Sequence, residues 1–333
     1  MWDYLFKSIS VVYLIINLLN LKSFPSKSQK MIETSRRNFL YQAGLLTSAS
    51  LISWDIFAKA PNLKLAYSAI TWGGKDLDAM KDIAALGFKG VQLRANSYDT
   101  YKTKVSELKD QITANSLILP MFSSGNVEID PAKEQSTIDI HVAHASFVKA
   151  LGGTSIQLTN SLRKKGENPS TEQLKRLTFV MNEIGKQTAD LGIQTTYHNH
   201  MNQFGETPEE VDAIVQDMNP KYLKLLLDVA HYHQGGGNPA KAVLDYQDMI
   251  DALHIKDVQS PLTDKPEDPN AYKLVELGQG NVDLKAVFDN LQKINFKKWA
   301  IVELDGVPVK NRTPKESGEI SKAFLKDKIG FKM

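Results

Sequence analysis

Hydrophobic and polar positions change period repeatedly along this chain. From Leu63 onward, short apolar or β-branched runs alternate with longer stretches whose apolar positions recur at helical spacing. The runs are 65–70, 90–93, 117–122, 154–158, 193–197, 223–227, 252–255 and 299–302, and each reads as a strand. The stretches at 76–86, 100–115, 136–151, 171–191, 207–218, 239–250, 282–294 and 316–328 read as helices. Three of them close on glycine, at Leu86-Gly87, Leu151-Gly152 and Leu191-Gly192, as helix C-termini prefer. Continuous apolar strands imply burial on both faces, which is the habit of a parallel sheet. Eight strand–helix units in one domain predict an α/β protein of the (β/α)8 barrel type. A doubly wound open sheet is the alternative, but the first strand ends in Ala69-Ile70-Thr71-Trp72-Gly73-Gly74, which is no phosphate-binding glycine loop.

Polar chemistry is concentrated where the strands stop. Five of the seven histidines fall between Gly192 and Asp257. One run ends Tyr197-His198-Asn199-His200, another Leu227-Asp228-Val229-Ala230-His231, a third Leu253-His254-Ile255-Lys256-Asp257, and the last Val302-Glu303-Leu304-Asp305. In a barrel the C-terminal strand ends share one mouth, so His198 or His200, Asp228, His254 and Glu303 are expected to converge there. Two imidazoles with two carboxylates suit a divalent ion such as Mn, Co, Zn, Fe or Mg. Lys256 follows His254 by two and shares its side of the strand, either to stabilise a substrate oxyanion or as a solvated lysine. His231 and His233, beside Gly235-Gly236-Gly237, line the mouth, touch substrate or fill a loop. Trp72, Phe122 and Trp299 lie near strand ends and either stack on a sugar or pack in the core. Gln92, Arg94, Gln157 and Asn160 add polar groups to the same rim, and the segment 258–281 is long enough to cover it. His141 and His144 fall on a helical pattern, in the outer layer.

Charge and composition narrow the partners. The formal charge of +2 comes from residues 1–60, which hold seven Lys and Arg against three Asp and Glu. The remainder is close to neutral, with no basic footprint for nucleic acid. There is no cysteine, which excludes disulfides and thiolate metal sites. Residues 1–60 read as a targeting segment, with 61–333 as the barrel. Ser35-Arg36-Arg37-Asn38-Phe39-Leu40 precedes a weakly apolar run and Ala58-Lys59-Ala60, in the order of a twin-arginine export signal with its small-residue cleavage site. Export to the periplasm, with no lasting membrane association, is the expectation. Self-association is left open.

Taken together, the strand-end motifs and Gly278-Gln279-Gly280 resemble the xylose-isomerase-like TIM-barrel superfamily, and within it the sugar phosphate isomerase/epimerase group that includes inosose dehydratase. The resemblance covers about residues 63–330. It implies a divalent metal held by a Glu-Asp-His-Glu set, of which Asp228, His254 and Glu303 carry over. The first Glu of the set falls on His198, with His200 two positions on. The resemblance therefore implies Asp228, His254 and Glu303 as ligands, with Glu303 also moving a proton; His198 takes the fourth ligand position and His200 the free base, while Lys256 as a catalytic group and Trp72, Arg94, His231 and His233 as substrate contacts are expected from their places near the strand ends. The expected activity is proton abstraction beside a carbonyl of a small carbohydrate or polyol, as an isomerase or epimerase. The alternatives are a dehydratase or lyase of the same fold, the endonuclease branch, which the near-neutral body disfavours, and a sugar-binding barrel without chemistry.

Overall fold

The computed structural model describes residues 61–333 apart from 165, 263, 266, 267, 269 and 270. The expected targeting segment lies outside the described residues. Eight parallel strands close into a barrel: β1 (Lys64–Ser68), β2 (Gly90–Arg94), β3 (Ile118–Asn126), β4 (Ser155–Thr159), β5 (Gln194–His198), β6 (Leu223–Asp228), β7 (Ile250–Ile255) and β10 (Trp299–Val302). A two-stranded antiparallel hairpin, β8 (Asp257–Gln259) with β9 (Lys273–Val275), stands apart from it. The helices are α1 (Asp76–Ala85), α2 (Ala95–Tyr101), α3 (Val105–Ala114), α4 (Glu134–Leu151), α5 (Thr171–Asp190), α6 (Pro208–Asp217), α7 (Val229–Gln234), α8 (Pro239–Asp245), α9 (Leu284–Lys293) and α10 (Pro314–Phe324). No helix among the described residues is long and apolar enough to cross a membrane.

Strand alternation sorts side chains into two cores. Outward residues such as Val91, Leu93, Leu225, Leu227 and Leu253 join Ile83, Val148, Leu177, Ile184 and Phe288 of the helices in the main apolar layer. Inward residues Ala66, Met121, Leu226, Ala252 and Ile301 form a second, smaller layer inside the barrel. Trp299 packs against that layer and opens β10, so it closes the N-terminal end of the barrel rather than walling the mouth. Gly90 makes room for it: a Cβ there would lie 2.8 Å from the Trp299 ring and 2.9 Å from Ala66. Further along the same strands the inward positions become polar, which sets the mouth at the C-terminal ends.

The pattern misplaced some helix boundaries. The helix expected at 100–115 is two helices, α2 starting directly after β2 and α3 following a break. The helix expected at 239–250 stops at Asp245, and Ile250 instead opens β7. The Trp72 expectation is corrected too. Trp72 ends a 3-10 turn (Ala69–Trp72), is buried, donates to Asp82 at 2.9 Å and packs edge-on to Tyr67. It is a core residue, as is Phe122, which packs on His144 and Phe147.

His141 and His144 tie α4 to β3: Ser124 Oγ lies 2.6 Å from His141 Nδ1 and 2.8 Å from His144 Nδ1, all of it buried. Burial, helped by the neighbouring His144, pushes His141 down to about 4. Below an unfolded imidazole's ordinary value, about 6.5, the unfolded chain takes up a proton that the folded ring refuses. Stability is therefore expected to fall between pH 6.5 and 4, with up to about 3 kcal/mol from this residue, and to be flat with respect to it above that window. Urea midpoints at pH 7 and 4.5 check this. His141→Asn should lose less stability on acidification than the parent, and equal losses would contradict the assignment.

Candidate active site

Asp228 is the hub of the mouth. It ends β6 and caps α7, its Oδ1 accepting from the N–H groups of Ala230 and His231 at 2.9 Å each. That cap leaves Oδ2 pointing into the barrel. Around it stand His198 Nε2 at 3.4 Å, His254 Nδ1 at 3.5 Å, His231 Nε2 at 3.7 Å and Lys256 Nζ at 4.0 Å. The backbone of Asp228 is also held, since its N–H donates to Asn199 Oδ1 at 2.8 Å and its carbonyl accepts from Asn199 Nδ2 at 3.1 Å. Direct pairing of Asp228 with His254 across β6 and β7 brings the two together.

Glu303 follows β10, with Oε1 3.3 Å from His254 Nδ1 and 3.2 Å from Lys256 Nζ. The expected alternation of His254 and Lys256 is realised: both are buried and both reach Glu303. Lys256 Nζ also meets Asp305 Oδ1 at 2.6 Å and His231 Nε2 at 3.2 Å. Asp305 was not singled out from the sequence, yet it follows Glu303 by two, and strand alternation alone would have pointed to it.

Charge and burial compete at each group. Burial alone would raise Asp228, but His231, Lys256, His198 and His254 outweigh it and hold the carboxyl well below its ordinary range. Glu303, pushed up by burial and down by His254 and Lys256, settles at about 2. Burial lowers the Lys256 ammonium, while Glu303, Asp305 and Asp228 more than restore it, so it stays charged. His198 is pushed down to about 4, chiefly by burial, and is neutral at pH 7.

Among the described residues, two sets of donors have metal-binding spacing, Asp228–His254–Glu303 and His198–Asp228–His231. Four atoms arranged tetrahedrally about an ion at roughly 2.0–2.1 Å lie about 3.4 Å apart. His254 Nδ1 lies 3.3 Å from Glu303 Oε1 and 3.5 Å from Asp228 Oδ2, and His198 Nε2 lies 3.1 Å from His254 Nδ1 and 3.4 Å from Asp228 Oδ2. A divalent ion fits that spacing and that mixture of nitrogen and oxygen donors.

The remaining expected residues divide. His200 is half-buried. Its Nδ1 donates to the Met201 carbonyl at 2.7 Å and its ring lies 3.8 Å from that of His231. Arg94 is exposed at the rim. Arg94, Asn126, Gln157, His198, His200 and Glu303 line one cavity of about 360 Å3, a size that suits a small polar molecule. His233 is not brought in, because on α7 it is turned roughly 200° from His231. Asp257 has a structural task. Its carboxylate accepts N–H groups from Val258, Gly278, Gly280 and Val282, pinning the segment after β9. This accounts for Gly278-Gln279-Gly280, since a Cβ on Gly280 would sit 2.2 Å from the Asp257 carboxylate.

The sequence matches the xylose isomerase-like TIM barrel family over residues 80–328. It is similar to an inosose dehydratase of Clostridium beijerinckii, at 24% identity over 81% of this chain and 98% of that protein. A Glaesserella parasuis inosose dehydratase is 28% identical over 75% of this chain and 92% of its own. Among solved structures, an IolI protein with a bound zinc atom superposes with a TM-score of 0.68, at 20% identity and covering 81% of this chain and 100% of that one. A D-allulose 3-epimerase from Methylomonas sp. gives 0.64, at 20% identity over 81% of this chain and 99% of its own. At these identities the structural likeness speaks for the fold. Closed barrel, polar mouth and sequence match agree, and the chain belongs to the xylose isomerase-like TIM barrel family.

Proposed function

We propose that this protein is a divalent-metal-dependent enzyme that removes a proton from the carbon beside a carbonyl in a small carbohydrate or polyol and returns it, as an isomerase or epimerase. The observation that carries the reading is the buried Asp228–His254–Glu303 set, whose Glu303 lines the cavity at the mouth. Asp228, His254 and Glu303 would hold the metal, which would supply Lewis-acid polarisation of a carbonyl and so ease loss of the neighbouring proton. The side chains supply the rest. His200 keeps Nδ1–H on a backbone carbonyl, which leaves Nε2 bare as a proton acceptor at the cavity wall. Glu303 stays ionised and approaches from β10, a second base for the other face of the carbon. Lys256 keeps its charge where negative charge would develop on a substrate oxygen. Arg94 supplies a rim donor for hydroxyl groups.

A second outcome, loss of water to give a dehydratase, has its own support. Lys256 donates toward His231 Nε2, and His231 Nδ1 is buried without a partner among the described residues, a pair suited to protonating a departing hydroxyl. The curated relatives named above are inosose dehydratases. Incubating metal-loaded protein in D2O with a panel of ketoses and keto-polyols, followed by proton NMR, separates the outcomes. Exchange with a new epimer or aldose supports the first, and exchange with an unsaturated product the second. No exchange with any member of the panel counts against both.

We also propose export by the twin-arginine route. Changing Arg36 and Arg37 together to Lys is expected to retain the protein in the cytoplasm. Unchanged fractionation of the double variant would exclude that route.

A further inference from the structure

Gln92 on β2 and Gln157 on β4 are buried inside the barrel beneath the donor cluster. His254 Nε2 lies 2.9 Å from Gln92 Oε1, Gln92 Nε2 lies 2.5 Å from Gln157 Oε1, and Gln157 Nε2 lies 3.1 Å from His198 Nδ1. His198 Nε2 and His254 Nδ1, 3.1 Å apart, close the circle. Four side chains thus form one ring of hydrogen bonds.

The ring constrains protons whichever way its amides are turned. Each amide offers an acceptor on one side and a donor on the other, and a neutral imidazole carries one N–H. Turning both amides reverses the ring. Turning only one sets two NH2 groups, or two carbonyls, face to face in a buried place, where an unmade hydrogen bond is expensive. With both rings neutral, as ligation by His254 requires, either permitted sense leaves one inward nitrogen of the pair His198 Nε2 and His254 Nδ1 bare and the other protonated. Two neutral imidazoles that both ligate would need both bare.

We propose that Gln92 and Gln157 restrict the metal to a single imidazole, His254, and leave His198 as an N–H donor facing the same centre, where it hydrogen-bonds a substrate oxygen. This replaces the ligand role expected for His198, and it rests on the metal site proposed above. The sense of the ring follows from the third donor each arrangement needs. A bare His254 Nδ1 completes a set with Asp228 and Glu303. A bare His198 Nε2 would need His231, whose Nε2 has one lone pair and already faces the Lys256 ammonium at 3.2 Å. Glu303 Oε1 has two lone pairs, so Lys256 does not exhaust it.

Nitrogen NMR of 15N-histidine-labelled, chelator-treated protein reads the ring without metal. His198 and His254 are expected to share one tautomer, with the proton on Nε2 of both, and opposite tautomers would overturn the ring. X-ray absorption of the zinc-loaded protein is expected to count one imidazole per zinc, and two in the parent would overturn the proposal. Gln157→Glu supplies acceptors on both sides and so frees His198 Nε2. It should give two imidazoles and at least about tenfold tighter zinc in chelator competition, toward the effect expected of an outer partner that orients a ligand. Gln92→Glu makes the same prediction should the first variant fail to fold, and an unchanged imidazole count in a folded variant counts against the proposal. A parent protein that binds no zinc sinks the metal reading, whereas the tautomer measurement still decides the ring.

Discussion

Asp228→Asn is expected to remove the bound metal and to lower turnover by at least about a thousandfold while leaving the fold intact. The two oxygens of Asp228 have separate work. Oδ1 caps α7, and asparagine caps helices as well as aspartate does. Oδ2 faces His198 and His254, and an amide NH2 there offers a donor where an ion needs a lone pair. Loss of an outer partner typically costs about 10- to 100-fold in metal affinity, so loss of this ligand should exceed that. The checks are metal content after dialysis, kcat, and the urea midpoint. Retained metal with full turnover would remove Asp228 from the centre, and a collapsed midpoint would show that its role is structural.

Lys256→Met should lower kcat by about 10²- to 10⁴-fold without weakening metal binding. The ammonium sits 3.2 Å from Glu303 and 2.6 Å from Asp305, placed to meet charge that appears only as the reaction proceeds. Removing it also takes one positive charge away from a site that must hold a cation, so affinity for the metal should hold or rise. Lys256→Arg should not restore turnover, because a planar guanidinium cannot replace a compact ammonium held by Glu303, Asp305 and His231. A fall in kcat accompanied by a parallel loss of metal would show that Lys256 only supports the fold of the site.

How much of this was legible in the sequence follows from which interactions are local. Strand ends are, because an apolar run that stops at Asp228 or His254 advertises both its burial and its mouth. The inward pairing of His254 with Lys256 came from alternation alone, and the same rule applied to Glu303 would have reached Asp305. Trp72 and Trp299 were ambiguous because an aromatic residue near a strand end reads the same in either environment. Only the closure of the barrel shows that Trp299, at the start of its strand, packs against the inner layer and that Trp72 turns back onto Tyr67. His233 was ambiguous for a similar reason, since the start of α7 at Asp228, which fixes its direction, depends on a cap. The ring through Gln92 and Gln157 was invisible. It joins residues up to 162 positions apart, and no periodicity links two glutamines to two histidines across four strands.

The account stands on one ion at the mouth of the barrel. Crystals of the purified protein soaked with zinc or manganese, with diffraction recorded at the metal's absorption edge, locate it directly. The expected result is one anomalous peak per chain, within bonding distance of Asp228, His254 and Glu303 and displaced from the ring of His200. A peak elsewhere, such as at His141 and His144, or no peak at saturating metal, would contradict the account.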